Sequence, residues 1–260
     1  MTTRFLVAAA IGLMASLATL PAAADALDDI IARKTIRIAV PTDYPPFGSV
    51  GADMQPRGMD IDVANLIGEK LGVKVELVPV TAPNRVAFLQ SGKTDLTISS
   101  LGKTEERAKV IDFSIAYSPF FDAIFGKKEP PVKEYADLSG KKISVTRGSM
   151  QDKELADLAP KAVVQRFEDN NSTIAAFMSG QVEMFASGTP VAAAIKRRNP
   201  DLDLELKIVL ANSPCYVGVV KGETRLLDKV NEIIREAKAK GEIDKLSVKW
   251  LGAPAGELPE

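Results

Sequence analysis

Between Thr35 and Ile98 the chain alternates short β-prone runs with helix-period runs, and that alternation restricts the fold more than any other feature. Thr35 to Val40 (Thr-Ile-Arg-Ile-Ala-Val) alternates as a half-buried strand does. Gly58 to Leu71 carries Ile61, Ala64, Leu66, Ile67 and Leu71 at helical spacing, and Gly72 stops it. Val73 to Val80 reads as a strand, Asn84 to Gln90 as a helix, and Leu96 to Ile98 as the start of a third strand. Strand–helix–strand units of this length predict a parallel, right-handed α/β layer. In such layers ligands sit beyond the carboxyl ends of the strands. Tyr44, Arg85, Ser100 and Arg107 all follow strand ends.

A second α/β run begins at Asp137. Ile143 to Thr146, Ala162 to Phe167 and Val182 to Phe185 read as strands. Helices follow Ser149, follow the capping run Asp169 to Thr173, and begin at Thr189-Pro190, where proline suits the first helical position. The charged, proline-bearing run Lys127 to Pro131 predicts one crossing between two lobes, and Ala211 to Pro214 predicts the return. Arg225 to Lys240, with Leu226, Val230, Ile233, Ile234 and Ala237 on one face, and Ile243 to Trp250 close the fold. The predicted division is therefore 1–24 as a leader, 25–126 with 214–260 as lobe 1, and 127–213 as lobe 2.

One stretch reads as a carboxylate clamp. After Leu96-Thr97-Ile98, the small residues Ser99, Ser100 and Gly102 can turn hydroxyl and backbone N–H groups to a cleft. Thr104 is a plausible N-cap with Glu105 and Glu106 in the first turn. Arg107 lies one turn further and can reach back over the strand end, with a fork matched to a carboxylate. The turn Arg147-Gly148-Ser149, opening a helix with Asp152 in its first turn, is a second candidate for anion binding. Tyr44, on the rigid loop Pro41 to Phe47, offers a wall for a ligand.

Composition removes several chemistries. The 260 residues contain no histidine and a single cysteine, Cys215. Imidazole bases, Ser-His-Asp triads, most catalytic zinc sites and internal disulfides are excluded. The formal charge of −1 leaves no basic surface for nucleic acid. Met1 to Ala24 reads as a secretory signal: Arg4, an apolar run to Leu20, and Ala22-Ala23-Ala24 as the cleavage site. That segment takes one arginine and no acid with it, so 32 basic and 34 acidic residues remain and the mature charge is −2. No cysteine stands at the cleavage point to carry a lipid.

The mature sequence resembles a periplasmic solute-binding protein of the polar amino-acid class, the capture component of an ABC importer. The resemblance is carried by Tyr44-Pro45-Pro46-Phe47, Gly58 to Asp62, Leu89 to Asp95, Thr104-Glu105-Glu106-Arg107, Asp112-Phe113-Ser114, Asp137 to Lys141, Gly148-Ser149, Ser179 to Glu183 and Lys249 to Gly252. It implies an α/β, two-lobe periplasmic-binding-protein type II fold with two hinge crossings, closing on a small ligand. It also implies a periplasmic location, an inner-membrane permease as partner, a monomer, and no cofactor or metal. Arg107 would grip the ligand α-carboxylate, Ser100 and Gly102 would face it from lobe 1, and Gly148 and Ser149 from lobe 2. Tyr44 would cover the ligand face, and Asn84-Arg85 looks like the form found in members that take acidic amino acids. Arg147, Asp152 and Asn170 complete the candidate set.

Two departures bear on specificity. Gly102 stands where such proteins usually carry Ser or Thr, and Gly188 stands where they usually carry the aspartate that meets the ligand ammonium. Either another acid serves, such as Asp152 or Asp169, or the ligand is a carboxylate or dicarboxylate without an α-amine. Arg85, Arg107 and Arg147 together could bind a dianion. The same fold is used by exported enzymes similar to cyclohexadienyl dehydratase, for which Asp152 and Glu154 are the available acids.

Overall fold

The computed structural model describes residues 25–260, so the signal-peptide reading of Met1 to Ala24 lies outside the described residues. The chain opens with α1 (Ala26–Arg33) and β1 (Thr35–Val40). A small sheet follows, made of β2 (Asp43–Tyr44), β3 (Gly48–Val50) and β4 (Pro56–Arg57). Then come α2 (Met59–Leu71), β5 (Lys74–Pro79), α3 (Arg85–Gln90), β6 (Leu96–Leu101), α4 (Glu105–Ala108) and β7 (Ile111–Ser118). The second half holds β8 (Phe121–Gly126), β9 (Lys142–Thr146), α5 (Met150–Leu158), β10 (Val163–Phe167), α6 (Asn170–Met178), β11 (Met184–Gly188), α7 (Thr189–Arg198) and β12 (Glu205–Asn212). The chain ends with β13 (Cys215–Val220), α8 (Thr224–Ala239) and α9 (Glu242–Leu251).

Two five-stranded sheets result, in the orders β5-β1-β6-β13-β7 and β10-β9-β11-β8-β12. In each, the first three strands are parallel, as the βαβ pattern predicts. The fourth strand runs antiparallel to both neighbours. That fourth strand is always the one that has just crossed over: β8 follows Pro119-Phe120, and β13 follows Ser213-Pro214. The crossings are tied together, since the Ser213 amide donates to the Phe120 carbonyl at 2.8 Å. These two junctions form the pivot between the lobes.

The packing follows the sequence pattern. Leu226, Val230, Ile233, Ile234 and Ala237 of α8 are all buried, as their spacing predicts. They join Ile36, Ile38, Leu96, Ile98 and Val217 in the core of the first lobe. Burying each Ile, Leu or Val side chain contributes about 1.5–3 kcal/mol. The second sheet has a core on each face, one around Ile124, Ile143 and Leu155 and the other around Phe125, Phe177 and Phe185.

The boundary prediction needs one correction. Phe121–Gly126, assigned from sequence to lobe 1, pairs with β11 and β12 and lies in the second sheet. The proline-rich run after Gly126 is a loop within lobe 2, because the chain has already crossed six residues earlier. The aromatic segment from Ser114 to Gly126 holds the end of β7 and all of β8. β8 is central and covered on both faces, so it carries nearly continuous apolar residues without the alternation that marks an exposed strand, whereas β7 is an edge strand in which Ile111, Phe113, Ile115 and Tyr117 do alternate with small or polar residues.

Candidate functional site

The carboxyl ends of β1 and β6 in one lobe face the N-terminal ends of α5 and α6 in the other. Three sets of polar contacts join the lobes there. Asp43, beyond β1, accepts from the Asn170 amide at 2.7 Å and from Asn170 Nδ2 at 3.1 Å. The buried Tyr44 hydroxyl lies 3.0 Å from Ser187 Oγ and accepts the Gly188 N–H at 3.2 Å. Arg107 donates from Nη1 to the Gly102 carbonyl at 2.7 Å and from Nη2 to the Gly148 carbonyl at 2.8 Å.

Between these contacts lies a cavity of about 30 Å3, bounded by Asp43, Tyr44, Arg85, Phe120, Asp122 and Gln151 among others. Ser100, Ser149, Asn170 and Ser213 also reach it.

Local structure explains how each wall is held. Ser100, the last residue but one of β6, has φ +45, a left-handed conformation that a residue with a Cβ seldom adopts. Its amide and hydroxyl both donate to Asp60 Oδ2, at 2.7 and 3.1 Å. Asp60, in the first turn of α2 and fully buried, also accepts from the Tyr117 hydroxyl at 2.6 Å. Burial pushes Asp60 up to about 6, against the opposing pull of these donors. The Ser100 turn aims carbonyl groups at Arg85, whose Nη1 donates to Ser99 O at 2.7 Å and to Ser100 O at 3.3 Å. Arg85 is 6 % exposed, and its Nε has no partner.

Arg85 and Arg107 share an unusual condition. Neither makes an ion pair with a carboxylate among the described residues, although the other arginines near the cleft do. Burial pulls both below the ordinary arginine range, and for Arg107 the neighbouring Arg85 adds to the effect. Two partly dehydrated guanidinium groups facing one cleft are a site for an anion.

Of the candidates named from sequence, Tyr44, Arg85, Ser100, Ser149 and Asn170 line the cavity. Arg107 and Gly148 flank it in an adjoining groove, with Met150 bordering both. Gly102 is backed against Met150 and Ser213: a Cβ there would lie 2.7 Å from Met150 Cγ and from Ser213 Oγ. Its lack of a hydroxyl is thus a packing requirement of this cleft. Two candidates do not line the cavity: Arg147 is exposed and paired with Glu168 at 2.6 Å, and Asp152 borders the adjoining groove, paired with Arg166 at 2.7 Å. Asp169 caps α6 through the Ser172 amide.

Four cavity-lining positions escaped the sequence reading: Asp43, Phe120, Asp122 and Gln151. Phe120 stacks on Tyr44 with ring centroids 6.3 Å apart and fills the space beside Gly188. A Cβ at position 188 would lie 2.2 Å from the Phe120 ring, so no carboxylate fits there. Asp122 is the register partner of Gly188 on the adjacent strand, fully buried and hydrogen-bonded by Gln151 Nε2. The motif Phe121-Asp122-Ala123 reads as strand interior, and an acid inside an apolar strand is the signal that could have found it.

The profile of the family described as bacterial extracellular solute-binding proteins, family 3, matches residues 36–253. A glutamine-binding protein of an ABC transporter from Bacillus subtilis is 28 % identical over 232 residues, 87 % of this chain and 85 % of that one. The crystal structure of an L-cysteine solute receptor from Neisseria gonorrhoeae superposes with a TM-score of 0.83 at 29 % identity, covering 90 % of this chain and 99 % of that one. An ancestral amino-acid-binding protein, a precursor of cyclohexadienyl dehydratase, gives a TM-score of 0.80 at 32 % identity, over 88 % of this chain and 100 % of that one.

Proposed function

We propose that this chain, which belongs to the bacterial extracellular solute-binding proteins of family 3, is the substrate-binding component of an ABC importer and captures an amino acid between its lobes. Arg107 receives the α-carboxylate at the seam, and Arg85 stands behind it as a second positive group. The observation that carries this reading is the pair of cleft arginines without carboxylate partners. Two such cations, held by backbone carbonyls, lower their free energy when an anion arrives. The contacts of Tyr44, Asp43 and Arg107 across the cleft provide the closed state that retains the solute. The mature chain works in the periplasm as a monomer and hands its cargo to a membrane permease.

The fold also supports enzymes; the arginine and hydroxyl groups of this site suit the retention of an unreacted ligand. The test is a thermal-shift and calorimetric screen of the mature protein against the twenty common L-amino acids. Stabilisation of about 2.7 kcal/mol is expected at a hundredfold the dissociation constant, with the amino acid recovered unchanged. Arg107→Ala removes one side of a dehydrated charge pair, which costs about 2–5 kcal/mol. Unchanged affinity in that variant would overturn the assignment of Arg107.

A further inference from the structure

Asp122 presents a buried carboxylate with half of its bonding capacity unspent. The residue is fully buried in β8 and lines the cavity on the lobe 2 side. Gln151 Nε2 donates to Oδ1 and the Ser213 hydroxyl stands beside the carboxyl, while Oδ2 makes no hydrogen bond. Its nearest acidic neighbour is Glu154 on α5, within hydrogen-bonding reach and itself carrying a buried Oε2 without a donor. The other acids around the cleft are spent. Asp43 is held by two donors of Asn170, Asp60 by three donors, Asp152 by Arg166, and Asp169 by its helix cap.

Two carboxyl groups in contact, one fully buried and the other half-buried with one oxygen covered, hold one proton between them in preference to two negative charges. The cavity offers the place where a cation can replace that proton. The opposite wall supplies Arg85, and beside it Asp43 is already held by Asn170, so the unspent groups are positive toward lobe 1 and acidic toward lobe 2. A zwitterion fits this polarity, and a simple carboxylate satisfies only one end.

We propose that Asp122 receives the ligand's cationic nitrogen, and that closure on an ammonium drives the proton shared by Asp122 and Glu154 into solvent. This rests on the amino-acid reading above and adds the residue that selects for the amine. The groups whose charge couples to Asp122 are Glu154 on α5, Arg85 on α3, Arg107 on α4, Tyr44 on β2 and Cys215 on β13. Burial and the Glu154 carboxyl hold Asp122 well above the usual carboxylate range, in keeping with a retained proton. Affinity for an amino acid then rises with pH through the range in which the pair titrates.

The experiment compares wild type, Asp122→Asn and Glu154→Gln by calorimetry. The probes are the twenty common L-amino acids and, for L-glutamine and L-cysteine, the amine-free acids 4-carbamoylbutanoic acid and 3-sulfanylpropanoic acid. Each titration is run in phosphate and in Tris, whose different ionisation heats count the protons released. Wild type is expected to bind one or more amino acids with proton release. Asp122→Asn should weaken that binding about a hundredfold and leave the amine-free acids at least as tightly bound. Glu154→Gln should keep affinity within about fivefold and lose the proton release; it also decides the question should Asp122→Asn fail to fold. Equal loss of both probe series in Asp122→Asn, unchanged amino-acid affinity in that variant, or unaltered proton release in Glu154→Gln would overturn the inference. A wild type that takes amine-free acids in preference overturns it while sparing the arginine assignment. A wild type that binds neither series removes the proposed function as well.

Discussion

Ser213 and Phe120 are joined main chain to main chain, the amide of one donating to the carbonyl of the other at 2.8 Å, at the point where both connecting strands leave the lobes. The bond restricts how the pivot can flex. Ser213→Pro removes the donor and leaves a buried carbonyl without it. A cost of about 1 kcal/mol is expected, seen by calorimetry as a melting temperature lower by about 2–4 °C.

Closure depends on the Tyr44 hydroxyl, which reaches both Ser187 Oγ and the Gly188 amide. Tyr44→Phe keeps the ring stacked on Phe120 but strands two polar groups in the closed form. Leaving a buried donor unmet costs about 1–3 kcal/mol. The captured amino acid should therefore dissociate about five- to a hundredfold faster, with a smaller change in association rate. Stopped-flow displacement measures both rates.

Gly102, just beyond β6, packs against the Met150 side chain. Gly102→Thr places a Cβ 2.7 Å from Met150 Cγ and Ser213 Oγ. The expected outcome is a protein that folds but is held open, with a larger radius of gyration by small-angle scattering and weakened capture. Adding Met150→Ala should restore much of the closure, and a failure to do so would place the clash elsewhere.

Asp60 makes stability depend on pH in a defined direction. In the folded chain its carboxyl titrates at about 6 because burial outweighs the donors from Tyr117 and Ser100, against an ordinary value of 3.8. The folded state therefore binds more protons between those two values. Stability from this group is fully present below pH 3.8 and is lost as the pH rises to about 6. The shift is worth about 3 kcal/mol at 1.36 kcal/mol per unit. Urea midpoints of wild type minus Asp60→Asn should fall across that window and level off above it.

Much of the fold was legible because helices and half-buried strands write their period into the sequence. The α8 stripe from Leu226 to Ala237 and the strands β1, β6 and β9 lie where apolar spacing puts them. Strand β8 was not legible, since a strand covered on both faces has no alternation to read, while β7 does alternate at Ile111, Phe113, Ile115 and Tyr117 and was obscured by the aromatic residues that follow it. The same limit governs the site. Tyr44, Arg85, Ser100 and Asn170 could be named because they follow strand ends or open helices. Asp43, Phe120 and Asp122 owe their roles to contacts between residues far apart in the chain. Position 122 meets position 188 only through the register of β8 with β11. Arg147 shows the converse: a turn beside a helix start is a good place for an anion, but the side chain is claimed by Glu168.

The position of β13 has a further consequence for how the chain is made. This strand sits between β6 and β7 in the first sheet, yet it is synthesised after the whole second lobe. Until it arrives, β6 and β7 have no neighbour to bridge them, and the faces that α8 will cover stay wet. The second lobe has no such dependence, since all its strands lie between Phe121 and Asn212. A chain emerging N-terminus first can therefore complete its later half before its earlier one. The early half waits, unfinished, for the last residues to emerge, and only then does a cleft exist.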